Sequence, residues 1–283
     1  MVDFRNLNKH YFIGEIGINH NGDLQIAKKL IDAVHACNWD CAKFQKRNPD
    51  VCVPEHQKNV LRETPWGTLK YIDYKYRVEF GKEKYDYINS YCGEKPVDWS
   101  ASVWDLNSLD FLLQYNLPFI KIPSAMVANE VLVAETAKSG KPIIMSTGMC
   151  NIEEVDSAVN NVLKYNDNLV LMHTNSSYPT PKEELNLSLI PFLKERYNCT
   201  VGYSGHEEDL EPTVIAAVLG AKVIERHITL SHDMWGTDQK SSLEVLAMDI
   251  LQKRIKDIDK IVGKPIKEVT NSEVNIRKKL RGY

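Results

Sequence analysis

Eight short apolar runs, each closing on polar residues and most followed by a helix-like stretch, repeat along the 283-residue chain. The runs fall at residues 11–18, 40–45, 97–102, 118–122, 141–146, 168–173, 199–202 and 222–227, and they include AKFQ, PFIKI, PIIM, LVLM and AKVIE. Near-continuous apolar runs of this kind suit strands buried on both faces of a parallel sheet. Helices are expected at 23–37, 105–115, 129–139, 151–165, 187–196, 213–219 and 242–262. Asp23 and Asp105 stand where a helix needs an N-cap, Pro212 falls in a first turn, and Gly140 and Gly220 fall where helices stop. The alternation predicts an α/β fold, a single (β/α)8 TIM barrel spanning residues 1–283. An open doubly wound sheet is the runner-up. Its glycine-rich first turn is missing here, since Gly17-Ile-Asn-His-Asn-Gly22 is not the G-x-G-x-x-G pattern. Residues 46–95 are too long for a plain connection and read as an excursion with some helix of its own, and 263–283 as a tail.

A net charge of −3 gives no electrostatic footprint for nucleic acid or an anionic membrane surface. No apolar run approaches the roughly 20 residues of a membrane span. The start, MVDFRNLNKHYF, lacks the apolar core of a signal peptide, so a cytoplasmic protein is expected. The six cysteines are scattered without a C-x-x-C pair and are expected to be reduced, small buried hydrophobes.

In such a barrel, chemistry gathers at the carboxyl ends of the strands. Those ends carry Glu15 and Asn19, then Lys43, Ser102, Lys121 with Ser124, and Ser146. They continue with Ser176 and Tyr178, Ser204 with His206, and Glu225 with His227, Asp238 lying just beyond. Lysines inside strands cost too much to bury without anionic partners. Lys43 and Lys121, among several hydroxyls, are therefore expected to form a cage for a phosphate or carboxylate; pairing with Glu15 or Glu225 is the alternative. His206 and His227 end consecutive strands, which a right-handed crossover sets side by side at about 5 Å. Two imidazoles so placed can share a metal ion.

The motifs EIGINHNGD, AKFQ, KIPSA, PIIMSTGM, YPTP, GYSGH and VIERHITL, in that order, resemble the sialic acid synthase (N-acetylneuraminate synthase) family across nearly the whole chain. The resemblance implies condensation of phosphoenolpyruvate with an aldehyde sugar, N-acetylmannosamine or a related aldose, to a 2-keto-3-deoxy sugar acid and phosphate. It implies that His206 and His227 hold a divalent ion, manganese before magnesium or cobalt. It places Lys43, Lys121, Ser124, Ser146 and Ser204 on phosphoenolpyruvate, with Ser102 and Ser176 at two further positions. Glu15, Tyr178, Glu225 and Asp238 then surround the acceptor sugar and the metal, Glu15 as a proton-transfer residue and Asn19 as a further substrate contact. Members often carry Asp between the Ser and His of the GYSGH motif, where this chain has Gly205. They also continue into an antifreeze-like lid domain, whereas this sequence stops at Tyr283. The expectation is therefore a lid on a separate polypeptide, or covering by residues 46–95. The aromatics of that segment, Trp66, Tyr71, Tyr74, Tyr76 and Phe80, equally suit a homodimer contact. Two readings from other classes remain: a metal-independent aldolase with Lys121 or Lys43 as Schiff-base nucleophile, and the sugar-binding subunit of a two-polypeptide synthase.

Overall fold

The computed structural model describes residues 2–281. Its strands are β1 (Tyr11–Gly17), β2 (Cys41–Lys46), β3 (Leu61–Thr64), β4 (Gly67–Lys70), β5 (Asp98–Val103), β6 (Ile120–Ile122), β7 (Ile143–Ser146), β8 (Leu169–His173), β9 (Thr200–Gly205) and β10 (Val223–His227). Eight of them close into a parallel barrel in the order β1-β10-β9-β8-β7-β6-β5-β2, while β3 and β4 form an antiparallel hairpin outside it.

Because side chains alternate along a strand, every second residue faces the lumen. Tyr11, Ile13 and Glu15 climb one wall, Cys41, Lys43 and Gln45 the next, and Val223, Glu225 and His227 the one on the other side. The lumen is thus apolar below and charged above. Its lower end is stoppered by Phe4, whose ring meets Tyr11 and Phe119 edge-on at 5.3 and 5.7 Å. The intervening residues face outward and join the helices in the main core, from Ile16 and Phe44 to Val201 and Ile224. Among the described residues no helix is long and apolar enough to cross a membrane, and all six cysteines are free.

Within residues 46–95, Lys82–Glu94 is a barrel helix, buried through Tyr85, Ile88, Tyr91 and Cys92. One expectation is corrected. The helix expected at 242–262 is two, Val245–Ile255 and Ile258–Val262, broken at Asp257, whose backbone leaves the helical region. The tail 263–283 contains a helix, Val274–Arg281, with no buried residue, and its last two residues lie outside those described.

Candidate active site

The strand register sets the floor of the site. Glu15 pairs along the backbone with Lys43 on one side and His227 on the other, and Glu225 lies beside Ser204. Their side chains meet in the lumen. Lys43 Nζ lies 2.5 Å from Glu15 Oε2 and 3.7 Å from Glu225 Oε1. Lys121 Nζ donates to both Glu225 oxygens, at 3.0 and 3.3 Å. Ser204 Oγ donates to Glu225 Oε1 at 3.1 Å, and Gln45 Nε2 to Glu15 Oε1 at 2.9 Å. Both lysines are thus paired with carboxylates, the arrangement the sequence offered as the alternative to a cage of lysines and hydroxyls alone.

Burial drives the titration of this quartet, and the neighbours decide its direction. Burial raises the Glu15 carboxyl in spite of Lys43. Glu225 is equally buried, yet Lys121 and Lys43 hold it down to about 2. Burial works against the Lys43 ammonium, but Glu15 and Glu225 hold it above its ordinary value. Lys121 goes the other way: burial lowers it, Glu225 opposes that, Lys43 adds to the lowering, and the net shift is downward.

Hydroxyls line the wall beside the lysines. Lys43 Nζ donates to Ser102 Oγ at 3.1 Å. Ser146 Oγ is buried and has no partner in the protein. Gly148 N–H donates to Ser124 Oγ at 3.1 Å, and a Cβ at Gly148 would sit 2.4 Å from Ser176 Oγ and 2.9 Å from Ser124 Oγ. The glycine keeps open the space between Ser124 and Ser176, which an anion can enter. Gly148 was missed in the sequence, where it reads as a simple turn.

His206 and His227 stand with ring centroids 5.5 Å apart. His206 Nδ1–H donates to the Asn175 carbonyl at 2.5 Å, which fixes the tautomer and leaves Nε2 as an acceptor for Tyr178 O–H at 2.9 Å. Burial, with His227 beside it, lowers His206 to about 3, and burial lowers His227 as well, so both are neutral imidazoles with lone pairs to offer. His227 Nδ1 is buried without a partner, and Asp238 Oδ2 lies 4.0 Å from it. An orphaned ring nitrogen next to a carboxylate suits a cation. No cluster of three or more metal-ligating residues occurs among the described residues.

Outside the barrel wall a second ion pair braces the histidines. Arg226 lies between Glu225 and His227 on β10, so it points away from the lumen, and it is fully buried. It donates to Glu207 Oε1 at 3.1 Å, Thr213 Oγ1 at 2.9 Å and the Asp209 carbonyl at 3.1 Å, and also reaches the Glu207 carbonyl. Glu207 accepts further from Tyr203 O–H at 2.9 Å and Thr213 O–H at 2.8 Å. A Cβ at Gly205 would lie 2.5 Å from Glu207 Oε2, so the glycine makes room for this carboxylate.

One cleft of about 200 Å³ is lined by Glu15, Lys43, Ser102, Lys121, Ser124, Ser146, Ser176, Tyr178, Ser204, Glu225 and both histidines. Gln45, at the end of β2, lines it too, as do Trp104 and Met149, which were not among the expected site residues. Asp238 stands at the edge by His227. Asn19 does not line the cleft; its amide donates to the Ile228 carbonyl at 2.9 Å and Ser242 Oγ at 2.8 Å, tying the β1 and β10 loops together. A larger hollow of about 550 Å³ at the opposite end of the barrel, among Arg5, Lys194 and Lys222, has no comparable chemistry. Trp66 and Tyr74 pack on Trp235 at 5.9 and 5.4 Å, so the residues before Lys82 fold onto the loop that carries Asp238. Tyr74 in this packing and Phe80, stacked on His20 at 3.9 Å, are buried at 5% and 2% exposure and are not available to a partner surface.

Residues 30–267 match the model of the NeuB family. The chain belongs to the NeuB family. It is 33% identical over 273 residues to the mouse N-acetylneuraminate-9-phosphate synthase, covering 95% of this chain and 76% of that one. It is also 33% identical over 281 residues to the N,N'-diacetyllegionaminic acid synthase of Campylobacter jejuni, covering 96% and 84%. Among solved structures, the N-acetylneuraminic acid synthetase of Leptospira borgpetersenii, crystallised with citrate, superimposes with a TM-score of 0.86 at 29% identity, covering 98% of this chain and 94% of that one.

Proposed function

We propose that this NeuB-family chain condenses phosphoenolpyruvate with the open-chain aldehyde of an amino sugar, giving a 2-keto-3-deoxy sugar acid and phosphate. The observation that carries the reading is the convergence, in one cleft, of a lysine–carboxylate quartet, a serine cradle and two neutral histidines. Relatives named as synthases of N-acetylneuraminate 9-phosphate and of diacetyllegionaminic acid point the same way.

Lys43 and Lys121 orient the carboxylate and phosphate of phosphoenolpyruvate, and Ser124, Ser146 and Ser176 donate to its oxygens. C3 of phosphoenolpyruvate bonds to the aldehyde carbon, water adds at C2, and the C2–O bond to phosphate breaks. Glu15, whose carboxyl burial raises, is the group placed to supply a proton to the oxygen of the former aldehyde. His206 and His227 would hold a divalent cation, manganese before magnesium or cobalt, which supplies Lewis acidity toward the aldehyde oxygen when bound. Tyr178 and Asp238 border that position.

One observation favours an imine-forming aldolase instead: burial lowers the Lys121 amine. The two readings separate in one assay. Phosphate release that needs phosphoenolpyruvate, N-acetylmannosamine or its 6-phosphate, and a divalent metal together supports the synthase. A borohydride-reduced adduct on Lys121, found by mass spectrometry, overturns it.

A further inference from the structure

A second cavity of about 230 Å³ adjoins the cleft, and Trp104 lines both. Its walls include Arg47, Tyr71, Lys75 and Glu79, the last already neutralised by Lys46 at 2.6 Å. The Arg47 guanidinium lies 3.9 Å above the Trp104 ring and donates to Gln45, the side chain that holds Glu15 on the floor of the cleft. Its Nε is buried without a partner. Lys75, half-buried on the helix Tyr71–Val78, stands 5.0 Å from the centre of the Tyr71 ring, and Arg62 stacks at 4.1 Å on the same ring.

None of these three cations is within ion-pairing distance of a carboxylate among the described residues. Asp238 and Glu79 reach Lys75 only at longer range. Burial and the neighbouring Arg47 together lower the Lys75 ammonium to about 8, the signature of positive charges gathered without enough negative charge between them. Aromatic faces hold each cation in place but do not neutralise it. Such a group, opening onto a substrate cleft, is built for an anion.

We propose that this cavity receives a phosphate ester at the end of the acceptor sugar remote from its aldehyde, held by Arg47 and Lys75, with Arg62 at the mouth. The inference rests on the synthase reading: the aldehyde end lies at His206 and His227, and the far end of the sugar runs past Trp104. The substrate class is thereby an aldose phosphate, not a neutral aldose. A phosphate suits the site better than a lone carboxylate because it brings up to two charges and three acceptor oxygens to three cations.

Two measurements test it. Phosphate release is followed with N-acetylmannosamine and with its 6-phosphate as acceptor, for the wild type, Lys75→Met and Arg47→Lys. The wild type is expected to favour the 6-phosphate in kcat/KM, and Lys75→Met to cut that preference by about tenfold or more, the scale of a lost charged hydrogen bond. A wild-type preference for the neutral sugar, or a preference unchanged in both variants, overturns the proposal. Calorimetry with sorbitol 6-phosphate, sorbitol and inorganic phosphate gives a readout free of turnover. Sorbitol 6-phosphate is expected to bind more tightly than either of the others and to lose that advantage in Lys75→Met. Equal binding of sorbitol and its phosphate overturns the proposal; so does binding of inorganic phosphate alone that is as tight as that of the sugar phosphate. If neither acceptor releases phosphate, the synthase reading fails, and the calorimetry still decides whether this cavity takes a sugar phosphate.

Discussion

Replacing Arg226 by Met tests whether the pair outside the barrel holds the two histidines in place. The guanidinium is fully buried, and its contacts span from β10 to the loop after β9, through Glu207, Thr213 and the Asp209 carbonyl. Methionine fills much of the volume but leaves Glu207 charged and buried with only Tyr203 and Thr213 to donate to it. Breaking a buried ion pair from one side costs about 3–5 kcal/mol. For a chain of this size that is a drop in Tm of roughly 6–20 °C, at about 2–4 °C per kcal/mol. The double variant Arg226→Met with Glu207→Gln removes the stranded charge and should recover a large part of the loss, as coupled neighbours do. Thermal unfolding of wild type, both single variants and the double variant measures the coupling, and manganese binding followed by calorimetry reads the histidines. The reasoning is refuted if Arg226→Met shifts Tm by less than a degree or two, or if the double variant is simply the sum of the singles.

His206→Ala and His227→Ala should each abolish turnover and leave Tm within a few degrees, and metal analysis after dialysis should find the bound divalent ion lost; near-wild-type rates in chelator would count against the metal role. Gly148→Ala should raise the KM for phosphoenolpyruvate, because the new methyl takes the space between Ser124 and Ser176, and the overpacking should cost about 1–3 kcal/mol; an unchanged KM would mean that the cradle holds nothing. Trp235→Ala should loosen the cover by about 0.5–1.5 kcal/mol for each aromatic pair lost, seen as faster proteolysis within residues 47–81 and a higher KM for the sugar. Glu15→Gln keeps the shape and loses the proton, so kcat should fall by about 10²–10⁴ with phosphoenolpyruvate binding retained; a change of only a few fold would reduce Glu15 to a counter-ion.

Strand alternation made the barrel readable, and with it the identity of the rim. Once a strand's end is known, a period of two decides which residues meet in the lumen, and so Glu15, Lys43, Glu225 and His227 could be grouped before any coordinates. The same rule applied to Arg226 places it outside, among the helices, where a charge needs a partner; that signal was present, but nothing in the sequence marks Glu207 as the partner. The helix Lys82–Glu94 was hidden because its buried stripe is carried by Tyr85 and Tyr91 within the polar run KEKYDYINSY. Their rings fill the core while their hydroxyls reach the Gln45 carbonyl and Asp32. The break at Asp257 has no proline or glycine to announce it, and Ile255 and Ile258 keep the apolar spacing across it. Asn19 shows the limit of reading a rim by position, since a polar residue after a strand can bind a neighbouring loop as readily as a ligand.

Pairing with carboxylates and holding an anion are not rival roles for Lys43 and Lys121. The two carboxylates of the quartet are driven apart: burial pushes Glu15 up, while the two lysines hold Glu225 down to about 2. Groups separated in this way divide acid from base work. Glu225 stays ionised and serves as a strut that points both ammonium groups at the same space. Glu15, once it carries a proton, no longer balances Lys43, and the quartet with both lysines charged keeps one positive charge in surplus. That surplus faces the unpartnered Ser146 hydroxyl and the Gly148 cradle. An anion settling there would favour the Lys121 ammonium that burial disfavours. The carboxylates therefore make buried lysines tolerable in the folded chain, and a proton taken up by Glu15 would free Lys43 for an incoming anion.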